Sequence, residues 1–217
     1  AFANNNLRPY YAEGSKTLAF EICEQLGWRT PRQVVVPIAS GSQFTKVAKG
    51  FAQFIELGLV EGAAPVLFGA QATGCSPVAA AHRDGSSFIT PQRPNTIARS
   101  LAIGNPADGP YVLDELRAKG GDCGSVDDEE ILECIELLAR TEGVFAETAG
   151  GVTIASLRQM IAKGTLDPDQ SIVAIISGHG LKTLDAIVDV ATVSSTISPS
   201  LAAAEEALRF HQLVAAS

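Results

Sequence analysis

The chain predicts an α/β fold: a mostly parallel sheet with helices on both faces. Strand-like runs alternate with helical patterns along it, which is the order that builds a parallel sheet. The runs Val34–Ile38, Val66–Ala70 and Ile172–Ile176 are continuously apolar rather than alternating, as strands covered on both faces are. Two of them lead into short Gly/Ser segments, Ser40–Gln43 and Ser177–Gly180. In such sheets these segments fall at the carboxyl ends of the strands, where ligands gather.

Each element follows from local pattern. Lys16 to Gly27 carries Leu18, Ala19, Ile22, Cys23 and Leu26 at helical spacing, with Gly27 as its stop. After the first strand, Phe44, Val47, Ala48, Phe51 and Ile55 share one helical face. Pro65 opens the second strand, and Ser76-Pro77 introduces a short alanine-rich helix. Residues 83–94 read as loop and 108–119 as helix, broken by Gly120-Gly121. Asp127-Asp128-Glu129-Glu130 sits at the start of the next helix, where carboxylates complement the helix dipole and Ser125 or Asp127 can cap. That helix runs to Gly143, and another spans residues 149–163 before Gly164. Residues 194–200 read as a linker and 201–216 as a terminal alanine-rich helix.

With 217 residues, 46% hydrophobic and 18% charged, the composition is globular and large enough for a sizeable core. A net charge of −8 argues against nonspecific binding to nucleic acid or anionic membranes. No apolar run reaches the roughly 18 residues that span a bilayer. The first residues, AFANNNLRPYY, lack an initiator Met and a signal-peptide pattern, and read as the interior of a longer chain. Cys23, Cys75, Cys123 and Cys134 have no metal-ligand spacing, so reduced thiols in a cytosol-like compartment are expected, and no metal site.

The junction VVVPIASGSQFTKVAKGF carries the chemistry. Small residues between a strand and a helix N-terminus let backbone N–H groups turn toward an anion such as a phosphate. A plain tight turn is the competing reading. The segment is not G-x-G-x-x-G, and Gly14-Ser15-Lys16-Thr17 lacks the earlier Gly and the preceding strand of a Walker loop, which weakens NAD and ATP. His82, His179 and His211 are widely separated, and His179 has no visible catalytic partner. Ser177, after a buried strand, offers an uncharged hydroxyl to a heteroaromatic nitrogen.

Six segments together resemble the threonine synthases, pyridoxal-phosphate enzymes of the tryptophan synthase β-like fold (fold type II). They are RPYYAEGSKTLAFEI, VVVPIASGSQFTKVAKGF, LFGAQATGCSPV, TIARSLAIGNPADG, EEILECIELLARTEGVFAETAG and IISGHGLK, in the family's order. The resemblance implies pyridoxal 5'-phosphate as cofactor, its phosphate held by Ala39, Ser40, Gly41, Ser42 and Gln43 and its ring nitrogen facing Ser177. A hydroxyl there implies an unprotonated ring nitrogen, a weaker electron sink than a carboxylate partner gives. Glu147 stands where the family has Glu-Pro-Ala-Ser, although here the run is Glu-Thr-Ala-Gly. Asn5, Asn6 and Arg8 are implied contacts to a substrate phosphate, since the fork of an Arg donates in pairs.

The same resemblance implies conversion of O-phosphohomoserine and water to threonine and phosphate, a carbon–oxygen lyase reaction of threonine biosynthesis, in a cytoplasmic homodimer. It assigns residues 1–193 to the large domain and 194–217 to a linker and C-terminal helix. The family's Schiff-base lysine lies in an S-x-K-D-x-G segment, and no Lys-Asp pair occurs here. No catalytic residue is therefore expected in this chain, and the isolated 217 residues are expected to be inactive. A cysteate synthase or amino-acid dehydratase of the same fold, or a noncatalytic phosphate-binding module, are the alternatives.

Overall fold

The computed structural model describes residues 9–187 and 196–215. Its sheet has four parallel strands in the order β3-β2-β1-β4, with β1 Gln33–Pro37, β2 Val66–Ala72, β3 Cys123–Val126 and β4 Ile172–Ala174. The expected α/β class is what forms. Val35 lies opposite Phe68 on one side and Ala174 on the other, so β1 is central and buried along its whole length.

The helices are α1 Pro9–Gly14, α2 Thr17–Gln25, α3 Ser42–Glu56, α4 Pro77–Arg83, α5 Gly109–Lys119, α6 Asp128–Glu142, α7 Thr148–Lys163 and α8 Leu201–Ala215. Side chains alternate along a strand. Val34, Val36 and Ile38 point into a core shared with Phe44, Val47 and Phe51 of α3, Val78 of α4, and Leu113 and Leu116 of α5. The opposite face is covered by α7, which contacts all four strands and is backed by α6. Gly124 permits this, because a Cβ there would lie 2.7 Å from the Ser156 Cβ of α7.

Three buried or half-buried glutamines tie strands to their surroundings. Gln71 in β2 is fully buried, and its Oε1 accepts from the Val78 and Ala79 amides at 3.0 Å each, capping the first turn of α4. Gln33 pairs both ends of its amide with the Asp167 backbone. Gln159 of α7 does the same to Ser125, so the outer edge of β3 is occupied rather than open.

The acidic run is a helix start. Asp127 is the N-cap of α6, its carboxylate accepting from the Glu130 amide while Glu130 reaches back to the Asp127 amide, each at 2.9 Å. Gly143 and Gly164 follow α6 and α7 with φ of 68° and 72°, as their use as stops requires. Strand β3, helix α1 and the 3-10 segment Gly180–Ala186 were not among the expected elements. The four cysteines are unpaired, with Cys23, Cys75 and Cys134 buried. Burial pushes all four thiols above their ordinary range, which makes them poor nucleophiles.

Contacts divide the chain into two compact units, Ala1–Thr183 and Leu184–Ser217. The expected boundary at residue 193 lies outside the described residues. Among the described residues no helix is long and apolar enough to cross a membrane.

Glu13 of α1 is the anchor of the first helices. It pairs with Lys16, with Lys49 at 2.9 Å and with Lys46 at 3.6 Å. Hydrogen bonds from Lys16, then Lys49, pull its carboxyl from the ordinary 4.5 down to about 2. A folded-state pKa below the unfolded one adds stability that is present above the unfolded value and is lost as pH falls through the folded one. The stability gap between wild type and Glu13→Gln in urea unfolding should therefore be constant above about pH 5 and close toward about pH 2. A gap that persists unchanged at the acid end would show that the lysines do not hold the carboxylate.

Candidate functional site

The site is built at the carboxyl ends of β1 and β4, which are neighbours in the sheet. Beyond Pro37 the chain runs through buried Ile38 to Ala39, Ser40 and Gly41. Gly41 has φ +94°, and a Cβ there would lie 2.9 Å from Val112 Cγ2 and 3.0 Å from the Asp108 backbone. Only glycine suits that turn. The Asp108 amide donates to the Ser40 carbonyl at 2.9 Å, so the start of α5 pins the loop.

Helix α3 then begins at Ser42, whose amide reaches Ser40 Oγ at 3.4 Å. The Ser42 hydroxyl is buried and has no hydrogen-bond partner among the described residues, an arrangement that costs free energy unless a ligand completes it. First-turn amides of α3 also lack intrahelical acceptors, and the positive end of the helix dipole lies there. Bare backbone, an orphaned hydroxyl and a helix N-terminus make a cradle for a phosphate.

The facing wall comes from Ser177, just past β4. Its hydroxyl donates to Glu147 Oε1 at 3.5 Å. Glu147 is the N-cap residue of α7 and only 3% exposed, and its Oε2 lies 3.0 Å from Lys182 Nζ. The Glu147 amide donates to the Gly178 carbonyl at 2.9 Å, bringing the two segments so close that a Cβ on Gly178 would collide with the Glu147 carboxyl. His179 turns away from this chemistry. Its Nδ1 accepts from the Leu181 amide at 3.2 Å, its ring meets Phe145 edge-on, and it does not border the cavity.

A third wall is the segment carrying Ser100, Leu101 and Ile103. Asp128 holds it by accepting from Thr96 Oγ1 at 2.6 Å and from the Ile97 amide at 3.2 Å. One acid of the α6 start thus shapes the site from a distance. The three walls enclose a cavity of about 370 Å³, the size of a small cofactor pocket.

Every cofactor-binding residue expected from the sequence borders this one cavity: Ala39, Ser40, Gly41, Ser42, Gln43 and Ser177. Asn5, Asn6 and Arg8 lie outside the described residues. Sequence reasoning did not single out Ser100, Leu101, Ile103 or Lys182, which also line it. The family-like segments TIARSLAIGNPADG and IISGHGLK contain them, and that was the available signal.

The family model of the pyridoxal-phosphate dependent enzymes matches residues 1–178, which takes in every wall of the cavity except Lys182. The chain belongs to the pyridoxal-phosphate-dependent enzymes. Pyridoxal phosphate is the cofactor of that family, and the orphaned Ser42 hydroxyl at the N-terminus of α3 fits its phosphate. The chain is 42% identical over 185 residues to the threonine synthase of Methanocaldococcus jannaschii, a match covering 85% of this chain and 45% of that protein. It is 36% identical over 205 residues to the threonine synthase of Methanosarcina acetivorans, covering 94% and 50%. The chain therefore spans about half the length of these curated relatives. Solved structures with the same fold include maize serine racemase, with a TM-score of 0.60, 21% identity and coverage of 93% and 54%. The processed form of threonine deaminase isoform 2 from Solanum lycopersicum gives a TM-score of 0.65 at 20% identity, covering 86% and 51%.

Proposed function

We propose that this chain is part of a threonine synthase, which converts O-phosphohomoserine and water to threonine and phosphate. The observation that carries the reading is the likeness to threonine synthases at 34–42% identity, extending over 85% or more of the chain. When bound, pyridoxal phosphate supplies an electron sink for the reacting carbons of the substrate.

The chain's own residues hold and shield. First-turn amides of α3 and the Ser42 hydroxyl would donate to the cofactor phosphate, and the left-handed turn at Gly41, packed against the start of α5, sets the helix N-terminus in place for it. Ser177 would face the ring nitrogen, and Leu101 and Ile103 add an apolar stretch to the cavity wall. Asn5, Asn6 and Arg8 are assigned to the substrate phosphate, with Arg8 as the paired donor. The covalent lysine is assigned to sequence outside these 217 residues, so the 217 residues alone are expected to release no phosphate. A homodimer in the cytoplasm belongs to the same reading.

The test is phosphate release from O-phosphohomoserine and from O-phosphoserine by the full-length protein that contains this chain. Preference for O-phosphohomoserine upholds the reading. Preference for O-phosphoserine points instead to a cysteate synthase type of enzyme. Turnover by residues 1–217 alone would remove the assignment of the lysine elsewhere.

A further inference from the structure

Among the described residues, only two charged side chains border the cavity, Glu147 and Lys182. The cradle at the start of α3 contains neither. It works through backbone amides, the Ser42 hydroxyl and the helix dipole, none of which carries a full charge. A carboxylate elsewhere on the wall therefore acts directly against any phosphate held there, with less screening than in open water. Glu147 is such a carboxylate. It is buried, and as N-cap residue of α7 its side chain makes no capping bond. Its Oε2 has no hydrogen bond among the described residues, and the Lys182 ammonium 3.0 Å away is the charge that balances it.

The lysine does not need this pair for its own sake. Its side chain is 64% exposed and would be hydrated without a partner, whereas the Glu147 side chain is 4% exposed. The backbone nevertheless fixes Lys182 beside the acid. Its amide donates to the His179 carbonyl at 3.1 Å. Next to it, Thr183 Oγ1 accepts from the Thr148 amide at 3.4 Å, which docks the segment on the start of α7.

We propose that Lys182 is a specificity-determining residue: by cancelling the charge of Glu147, it lets the cavity prefer a ligand that carries a phosphate over the same ligand without one. The inference rests on the reading of this cavity as the site of pyridoxal phosphate. It adds that the selectivity of the neutral cradle depends on a charge pair outside the cradle. Because the two charges cancel, removing either one shifts the preference, and the two shifts have opposite signs. A pair that only braced the wall would give no such opposition.

Pyridoxamine 5'-phosphate and pyridoxamine are the probes, bound to the cofactor-free form of the full-length protein that contains this chain. Neither has an aldehyde, so binding needs no lysine adduct. The readout is the ratio of their dissociation constants. Lys182→Met leaves the carboxylate uncompensated, and the preference for the phosphate form should fall by about tenfold or more. Glu147→Gln leaves the lysine uncompensated, and the preference should rise by about twofold or more, the smaller effect because that ammonium is well hydrated. The double variant restores a neutral wall and should return to within about twofold of wild type.

An unchanged preference in Lys182→Met, a lowered preference in Glu147→Gln, or a double variant as poor as Lys182→Met would overturn the inference and leave the cofactor site standing. Failure of wild type to bind pyridoxamine 5'-phosphate at all would overturn the cofactor reading and this inference with it. If Lys182→Met does not fold, the sign of the Glu147→Gln shift decides.

Discussion

Ser42→Asp is expected to weaken binding of phosphate-bearing cofactor at least about a hundredfold while leaving the fold intact, since juxtaposed like charges cost several kcal/mol. The Ser42 side chain is buried at the first position of α3, with its hydroxyl unpartnered and the cavity beside it. An aspartate there puts a carboxylate where a phosphate is to be held. The same carboxylate is favourable to the helix, because it complements the positive end of the α3 dipole. The variant therefore separates binding from folding. Far-UV circular dichroism and the urea midpoint should stay near wild type while the dissociation constant for pyridoxamine 5'-phosphate rises. Pyridoxamine without the phosphate is the control, and its weaker binding should change little. Loss of less than about tenfold would mean that the phosphate sits elsewhere.

The elements legible in the sequence are those whose signal is local. Val34–Val36 and Leu67–Phe68 are apolar runs because both faces of their strands are covered, and the helices carry their own stops in Gly143 and Gly164. The phosphate cradle is legible for the same reason, since strand, turn and helix start are consecutive from Val34 to Phe44. Strand β3 is not. Cys-Gly-Ser-Val has no apolar run, and it is extended because α7 approaches Gly124 and Gln159 pins Ser125. That is tertiary packing overriding local propensity. Helix α1 is likewise held by contacts from other segments, through Glu13 and lysines of α3.

The walls of the cavity divide in the same way. Ser177 was legible as a hydroxyl directly after a strand. Its partner Glu147 lies 30 residues earlier in sequence and arrives through the docking of α7, so their pairing has no local signal. A residue's type gives its capacity to donate or accept, and only its neighbours decide which it does.

Phe44→Ala is the counterpart that should damage the scaffold and spare the chemistry. Phe44 is fully buried, one of the largest such side chains, and sits two residues past Ser42 on the face of α3 that enters the core with Val47 and Phe51. Truncating a buried Phe costs about 3–5 kcal/mol, from lost transfer energy and the cavity left behind. Domains of this kind have only about 5–15 kcal/mol in total, so the expected loss is a large fraction of the stability. The urea midpoint should fall steeply with little change in slope, because the surface exposed on unfolding is almost the same. Under conditions where the variant is still folded, pyridoxamine 5'-phosphate should bind within about tenfold of wild type, since the polar groups of the cradle are untouched. A destabilisation below about 1 kcal/mol would mean that α3 is not anchored through this side chain, and the position of its N-terminus against the cavity would need another cause.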